Sequence, residues 1–233
     1  MPDNHAIYSK MIGKLLGDGS ITKQQGRKPR FQFTHTKSDY AWTEYCYQEL
    51  KDVIPLTEPK LRRIKDARMK KGFTESYFVL SKTYPIITEL ESIWYMTRKK
   101  TIPFSFLEQY FDQRSLAWWF QDDGSLKTDS ISNVPRKIIL STDSFSKGEN
   151  KALIAMLKEK YNLHFSLDKQ NRLVIYHASQ IYYFLHLVQP YMHPAMIRKT
   201  IRYYPILCNS KIRLSTFQKA YLFRNLPKQL MNN

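Results

Sequence analysis

Two copies of one short pattern, about a hundred residues apart, constrain the fold of this chain more than any other feature. The first is MIGKLLGDG at residues 11–19 and the second is LAWWFQDDG at residues 116–124. Each is an apolar, helix-compatible run that stops at an Asp-Gly pair. Because glycine tolerates the backbone angles of a helix stop, the pattern predicts two helices that end at Asp18 and Asp123.

The repeat extends well beyond these two segments. Each Asp-Gly pair is followed by an alternating strand pattern (30–36 and 136–142), a helix pattern and further strand-like runs. Each copy closes on a similar basic tetrapeptide, KKTI at 99–102 and RKTI at 198–201. The sequence therefore predicts a duplication into two α/β (α+β) halves, residues 1–105 and 106–233. A short connection is expected at 103–112.

Helix caps are predicted at two positions. Ser38 is expected to cap the helix that runs to about Leu50, and Asp112 the second Asp-ended helix. A further helix is predicted from about Ser146 to Tyr161.

The charge of the chain indicates its kind of partner. Lysine and arginine total 37 against 20 acids, a net charge of +17, and the 42% hydrophobic content is too high for a disordered basic tail. A folded, strongly basic protein most often binds nucleic acid, although a basic protein that merely stays soluble is the alternative.

The cysteines and the lengths of the apolar segments indicate the cellular compartment of the protein. Cys46 and Cys208 form neither a metal-binding spacing nor a disulfide framework. With no membrane-length apolar run and no signal-peptide core, the protein is expected to be soluble and intracellular, without a membrane partner.

The two aspartates suggest metal chemistry. Helices that pack together would bring Asp18 and Asp123 side by side, and paired carboxylates repel unless a cation or a shared proton lies between them. Divalent metals held by carboxylates supply what phosphodiester hydrolysis needs, and Lys100 and Lys199 are candidates to polarise water or stabilise charge. One Asp-Gly pair alone is usually a turn, whereas two pairs at repeat-related positions favour a catalytic site. Five of the six histidines (His35, His164, His177, His186 and His193) show no metal-ligand spacing and are expected to be structural.

These motifs resemble the paired LAGLIDADG motifs of single-chain homing endonucleases encoded in group I introns. The resemblance runs from residue 11 to about residue 201, and KKTIP ahead of LAWWFQDDG is similar to one intron-encoded subgroup. It implies motif helices at the interface of two pseudo-symmetric halves, whose antiparallel sheets form a DNA-binding saddle. It also implies that Asp18 and Asp123 bind the catalytic metals, Mg²⁺ with Mn²⁺ able to substitute. The carbonyls of Gly17 and Asp122 would assist, and Lys100 and Lys199 match the active-site lysines.

The chain departs from the family pattern at the helix contact. Gly13 and Gly17 allow a close approach on the first helix, but Trp118 stands where the consensus has glycine, so a looser or offset contact is expected. Asp122 adds a second acid beside Asp123.

The saddle predicts basic and amide side chains on the strands and turns. These candidate DNA contacts are Lys23, Arg27, Lys28, Arg30, Gln32, Arg62, Arg63, Lys65, Lys70, Lys127, Arg136, Lys169 and Arg172. For any one of them, phosphate attraction without base reading is the simpler role.

The expected function is a monomeric, site-specific homing endonuclease that makes a metal-dependent double-strand break in a long DNA target. The main alternative is an RNA maturase on the same fold, with intron RNA as partner. A third is a DNA-binding regulator that has lost cleavage, against which the retained aspartates and lysines argue.

Overall fold

The same four-stranded antiparallel sheet follows each of the two motif helices. The computed structural model describes residues 4–131 and 134–200. Ile201 of the second tetrapeptide and the remainder of the expected second half, up to residue 233, lie outside the described residues. The helices are α1 Asn4–Leu16, α2 Tyr40–Lys51, α3 Pro85–Trp94, α4 Phe104–Tyr110, α5 Gln113–Asp123, α6 Lys147–Tyr161 and α7 Ala178–Val188. The strands are β1 Gly19–Thr22, β2 Arg30–Thr36, β3 Lys60–Lys65, β4 Phe73–Leu80, β5 Tyr95–Met96, β6 Lys99–Lys100, β7 Gly124–Thr128, β8 Pro135–Leu140, β9 Ser166–Leu167 and β10 Leu173–Ile175.

Strand order and register repeat between the sheets. The orders are β1-β2-β4-β3 and β7-β8-β10-β9. The glycine after each motif aspartate opens a strand, with Gly19 opposite Phe33 and Gly124 opposite Leu140. The predicted α/β architecture with two antiparallel sheets is confirmed.

Alternation along the strands separates a core face from an open face. On β2, Phe31 and Phe33 are buried while Arg30 and Thr34 are exposed. Since successive side chains of a strand point to opposite faces, one face of this sheet packs on helices and the other is open.

Two of the three predicted helix starts are confirmed. Asp112 accepts a hydrogen bond from the Ser115 amide in a capping box, and Ser146 does the same with Glu149. The cap at Ser38 is wrong, because a 3-10 turn at Lys37–Asp39 precedes α2. The Ser38 hydroxyl instead contacts the Thr36 hydroxyl (2.8 Å).

The expected connection at 103–112 is mostly helical, which corrects the sequence-based expectation. It contains α4, which packs on α1 through rings such as Phe106 and Tyr110 against Tyr8. A boundary after residue 105 would divide this helix, so we propose that the second half begins at Asp112.

The motif helices α1 and α5 run parallel in close contact. Ser9 on α1 donates a hydrogen bond to the Asp112 cap of α5, and the contacts continue to the other end, where Gly17 meets Asp122. A Cβ at Gly13 would lie 2.5 Å from Trp118 Cβ and 2.8 Å from the Ser115 carbonyl oxygen. The looser contact expected from Trp118 is therefore wrong: Trp118 packs against the space left by Gly13.

Gly13→Ala is expected to lower the free energy of unfolding by about 1–3 kcal/mol, because backbone atoms must move to admit the methyl group. Chemical denaturation measures this. The matched control is Gly148→Ala in α6, where the nearest atom to a new Cβ is 3.9 Å away. Equal stability of the two variants would contradict the close packing at Gly13.

In the ranges 4–131 and 134–200, no helix is long and apolar enough to cross a membrane.

Candidate active site

Asp18 and Asp123 lie at the same end of the two parallel motif helices. Asp123 is the last residue of α5, and Asp18 stands two residues beyond the end of α1. Partial removal from water, with the nearby charges of Asp122 and Asp123, raises the pKa of Asp18 to about 8. Burial and Asp122 likewise raise the pKa of Asp123 to about 6. The helix ends therefore gather the two carboxylates as expected.

These two carboxylates fit a divalent metal ion. Both carboxylates lie near the charge of Asp122, and repulsion among these acids would be relieved by a divalent cation bound beside them. Their ligand atoms are oxygens, the donors that hard divalent ions such as Mg²⁺ prefer.

Lys100 and Lys199 each lie against the carboxyl end of a motif helix. Lys100 Nζ donates to the carbonyls of Leu15 and Gly19, both at 2.8 Å. Lys199 Nζ donates to the carbonyls of Gln121 (2.6 Å) and Asp122 (3.0 Å). Each ammonium thus complements the negative end of a helix dipole.

Burial changes the acidity of both lysines. It lowers the pKa of Lys100 to about 8 and also lowers the pKa of Lys199. A lysine with a pKa near neutrality is suited to holding or releasing a proton at its Nζ atom.

The Asp122 side chain is enclosed inside the protein, in contrast to the motif aspartates. Its side chain is 0% exposed, and its carboxylate accepts hydrogen bonds from Lys14 Nζ (2.8 Å) and Trp42 Nε1 (2.8 Å). It also accepts from the Asp18 backbone amide (3.2 Å). Burial alone would raise its pKa, but the charge and hydrogen bond of Lys14 hold it well below the ordinary range. A Cβ at Gly17 would lie 2.6 Å from Asp122 Cβ, so glycine there admits this side chain.

Sequence reasoning missed the role of Lys14 and dismissed His35, whose Nε2 lies 3.2 Å from Asp122 Oδ1 and 3.8 Å from Asp18 Oδ2. Two signals were present. Lys14 is the charged residue of an otherwise apolar helical run, and His35 follows Phe31 and Phe33 in the inward register of β2. Buried polar groups need partners, so both positions pointed to a polar contact in the core.

Asp18, His35 and Asp122 together resemble a metal-binding group, since one ligand atom from each lies within 4.8 Å of the others. The Lys14 ammonium already lies 2.8 Å from Asp122 and 3.0 Å from His35 Nε2. Because this cation already balances the buried carboxylate, a metal ion held by these three residues would have to displace Lys14.

The strand register separates the predicted DNA contacts by face. Residues that pair directly across neighbouring strands point to the same face of a sheet. Arg30 and Gln32 alternate with the buried Phe31 and Phe33, so they lie on the open face of the first sheet. Arg62 lies on that face too, because it pairs with Ser76, which in turn pairs with Thr36. Arg63 and Lys65 lie on the opposite face by alternation, and Arg63 bonds Glu75 (2.8 Å).

The remaining candidates are on turns or in ion pairs. Arg27, Lys28, Lys70 and Lys169 are exposed on turns, and Lys23, also exposed, bonds Glu91 (3.0 Å). In the second sheet Lys127 pairs with Lys137 on the face away from the core. Arg136 and Arg172 form ion pairs with Asp129 (3.4 Å) and Asp168 (2.7 Å).

Paired carboxylates at the ends of packed helices, with basic side chains on the sheet that follows each helix, are typical of a DNA endonuclease. The chain belongs to the LAGLIDADG DNA endonuclease family, whose family model matches residues 8–185. The fold resembles the homing endonuclease I-WcaI in a structure bound to its DNA recognition sequence, with a TM-score of 0.75 and 25% identity over 86% of this chain and 88% of that chain.

Two curated relatives match over most of their length. A protein named "Probable intron-encoded endonuclease 1" from Wickerhamomyces canadensis is 28% identical over 82% of this chain and 82% of its own. "Cytochrome b mRNA maturase bI2" from Debaryomyces hansenii is 26% identical over 87% of this chain and 76% of its own. The chain is a site-specific, metal-dependent DNA endonuclease of the homing type, as its sequence predicted.

Proposed function

We propose that the chain uses Asp18 and Asp123 to hold Mg²⁺ and cuts one phosphodiester bond in each strand of a long duplex target. The observation that carries this proposal is the arrangement of the two motif helices. They run parallel, bring Asp18 and Asp123 to the same end of the pair, and each has a lysine ammonium against its last carbonyls. One chain supplies both aspartates, so a monomer contains a complete pair.

The division of roles follows from position and charge. Bound Mg²⁺ would supply Lewis acidity toward the scissile phosphate and its attacking water. Asp18 and Asp123 would hold the ions, assisted by the carbonyls of Gly17 and Asp122. Lys100 and Lys199 would stabilise negative charge that develops on the phosphate and hold or release a proton at Nζ.

Removal of the metal tests this proposal. The duplex is the host locus without the intervening sequence, incubated with the protein in Mg²⁺ or in EDTA, and resolved on a denaturing gel. We expect cuts in both strands with Mg²⁺, none with EDTA, and recovery when Mg²⁺ is restored. Cutting that persists in EDTA would overturn the metal roles of Asp18 and Asp123.

The DNA-facing role of the first sheet is tested by two neighbouring arginines. Arg62→Ala is expected to weaken DNA binding and reduce the slope of log K against log salt by about 0.9, because Arg62 is on the open face. Arg63→Ala is the control, since Arg63 lies on the other face and is paired with Glu75. Titrations by fluorescence anisotropy at several salt concentrations measure both. Equal loss in the two variants would contradict this orientation of the sheet.

RNA maturation is a second candidate function, favoured by the relative named as a cytochrome b mRNA maturase. In that case the basic surfaces would also bind intron RNA. Asp18→Asn separates the two activities, because splicing assistance would survive the loss of DNA cleavage. We place either activity inside the cell, where both nucleic acids occur.

A further inference from the structure

A buried polar cluster joins the two motif helices beside Asp18. It consists of Lys14 on α1, Asp122 on α5, His35 on β2 and Trp42 on α2, and the Lys14 and Asp122 side chains are both 0% exposed. Through this cluster the second motif helix contacts the first aspartate directly, because Asp122 Oδ2 accepts the Asp18 backbone N–H (3.2 Å). The Asp18 main chain is therefore tied to α5.

The hydrogen bonds of His35 determine how the cluster is held. The Thr43 hydroxyl donates its proton to the Asp39 carbonyl (3.1 Å), so it accepts from His35 Nδ1 (2.9 Å). A neutral His35 then presents a lone pair at Nε2, which accepts from Lys14 Nζ (3.0 Å). His35 thus directs the Lys14 ammonium onto Asp122.

The described residues of the second half contain no counterpart of this cluster. When Asp18 is matched with Asp123, Lys14 corresponds to the buried Trp119 and Asp122 corresponds to Gly17. The repeated strand register matches His35 with Thr142, whose hydroxyl donates to the Asn171 carbonyl (3.0 Å). Asp18 therefore has a carboxylate from the opposite helix on its backbone, whereas Gly17 offers none to Asp123.

We propose that Asp122, oriented by Lys14 and His35, is a positioning residue for Asp18 alone and makes the two strand cuts unequal. The inference rests on the proposed function and adds to it the assignment of one strand to each aspartate. A metal ligand that is held in place before the reaction needs less rearrangement, so the strand served by Asp18 is nicked first. The order of cutting is thus set by a cluster beneath one of the two aspartates.

The test measures the cleavage rate of each strand separately, on a duplex with a different label on each strand. The wild-type protein is expected to nick one particular strand first. Asp122→Asn replaces one carboxylate oxygen by an NH2 group, which cannot accept the hydrogen bonds of the Asp18 N–H and Lys14. This variant should slow cleavage of the first-nicked strand at least tenfold more than cleavage of the other strand. Lys14→Met/Asp122→Ala removes both buried charges together, retains a neutral core, and should shift the ratio of strand rates in the same direction.

Ser115→Ala is the matched control. The Ser115 hydroxyl contacts the Ser9 hydroxyl (3.0 Å) across the same two helices, but at the end remote from Asp18. A purely structural effect on the helix interface would slow both strands alike in all three variants, with the strand ratio unchanged. Such a result, or equal nicking of both strands by the wild-type protein, would overturn the inference while leaving the proposed function intact. A wild-type protein that cuts neither strand would overturn both.

Discussion

Asp18→Asn is expected to reduce double-strand cleavage about a thousandfold or more. The substitution removes the negative charge of a metal ligand while the side chain keeps its size. A metal ion contributes several kcal/mol to stabilisation of a phosphoryl transition state, and each 1.36 kcal/mol corresponds to a factor of ten in rate. Asp123→Asn should have an effect of the same order, because the two positions are equivalent in the repeat. Single-turnover cleavage with excess protein measures both.

DNA affinity should distinguish loss of chemistry from loss of folding. Both variants are expected to bind the duplex at least as tightly as the wild type, since neither substitution adds negative charge or removes a basic side chain. Asp52→Asn is the control, an exposed aspartate just past the end of α2. Cleavage by Asp18→Asn within tenfold of the wild-type rate would contradict the metal-binding role of Asp18.

Lys14→Met is expected to lower the free energy of unfolding by about 3–5 kcal/mol. It leaves the Asp122 carboxylate buried without its cation, and breaking a buried ion pair on one side costs about this much. Chemical denaturation at neutral pH provides the measurement. The double variant Lys14→Met/Asp122→Ala should recover most of the loss, because replacing both charges removes the unpaired group.

Lys10→Met serves as the comparison for that experiment. Lys10 lies one helical turn earlier on α1 and pairs with Glu49 (2.7 Å) at a partly exposed position. Its substitution should change stability by no more than about 1 kcal/mol, as is usual for surface ion pairs. If Lys10→Met and Lys14→Met destabilise equally, the buried pair has no special importance for this fold.

The repeat made much of the fold predictable, including the placement of the two motif aspartates. Asp18 and Asp123 follow apolar helical runs and precede glycine, so their position at helix ends is a local property of the chain. The Asp112 cap and the strand that follows each glycine are equally local. Strand faces were less predictable, because the list of basic residues does not show that Arg62 and Arg63 point to opposite sides of one sheet.

Two expectations were wrong and one buried contact was missed, for reasons that the sequence pattern does not show. Ser38 has the composition of a helix cap, but the chain makes a 3-10 turn there first. Trp118 suggested a loose interface from its size alone, whereas its fit depends on the absence of a side chain at Gly13 on the other helix. His35 has no partner within metal-ligand spacing in sequence, yet it lies 3.2 Å from Asp122 Oδ1, which belongs to a helix 87 residues away in the chain.

The sequence by itself determined the duplication, the Asp-ended helices, the basic character and the family. These are carried by periodicity, by glycine stops and by charge, all of which act within a few residues. Only the tertiary structure decided that the Asp122 side chain turns inward to Lys14, while the Asp18 side chain remains 35% exposed. The reason is that burial and charge balance depend on groups from both helices, and their distances are set by how α1 and α5 pack.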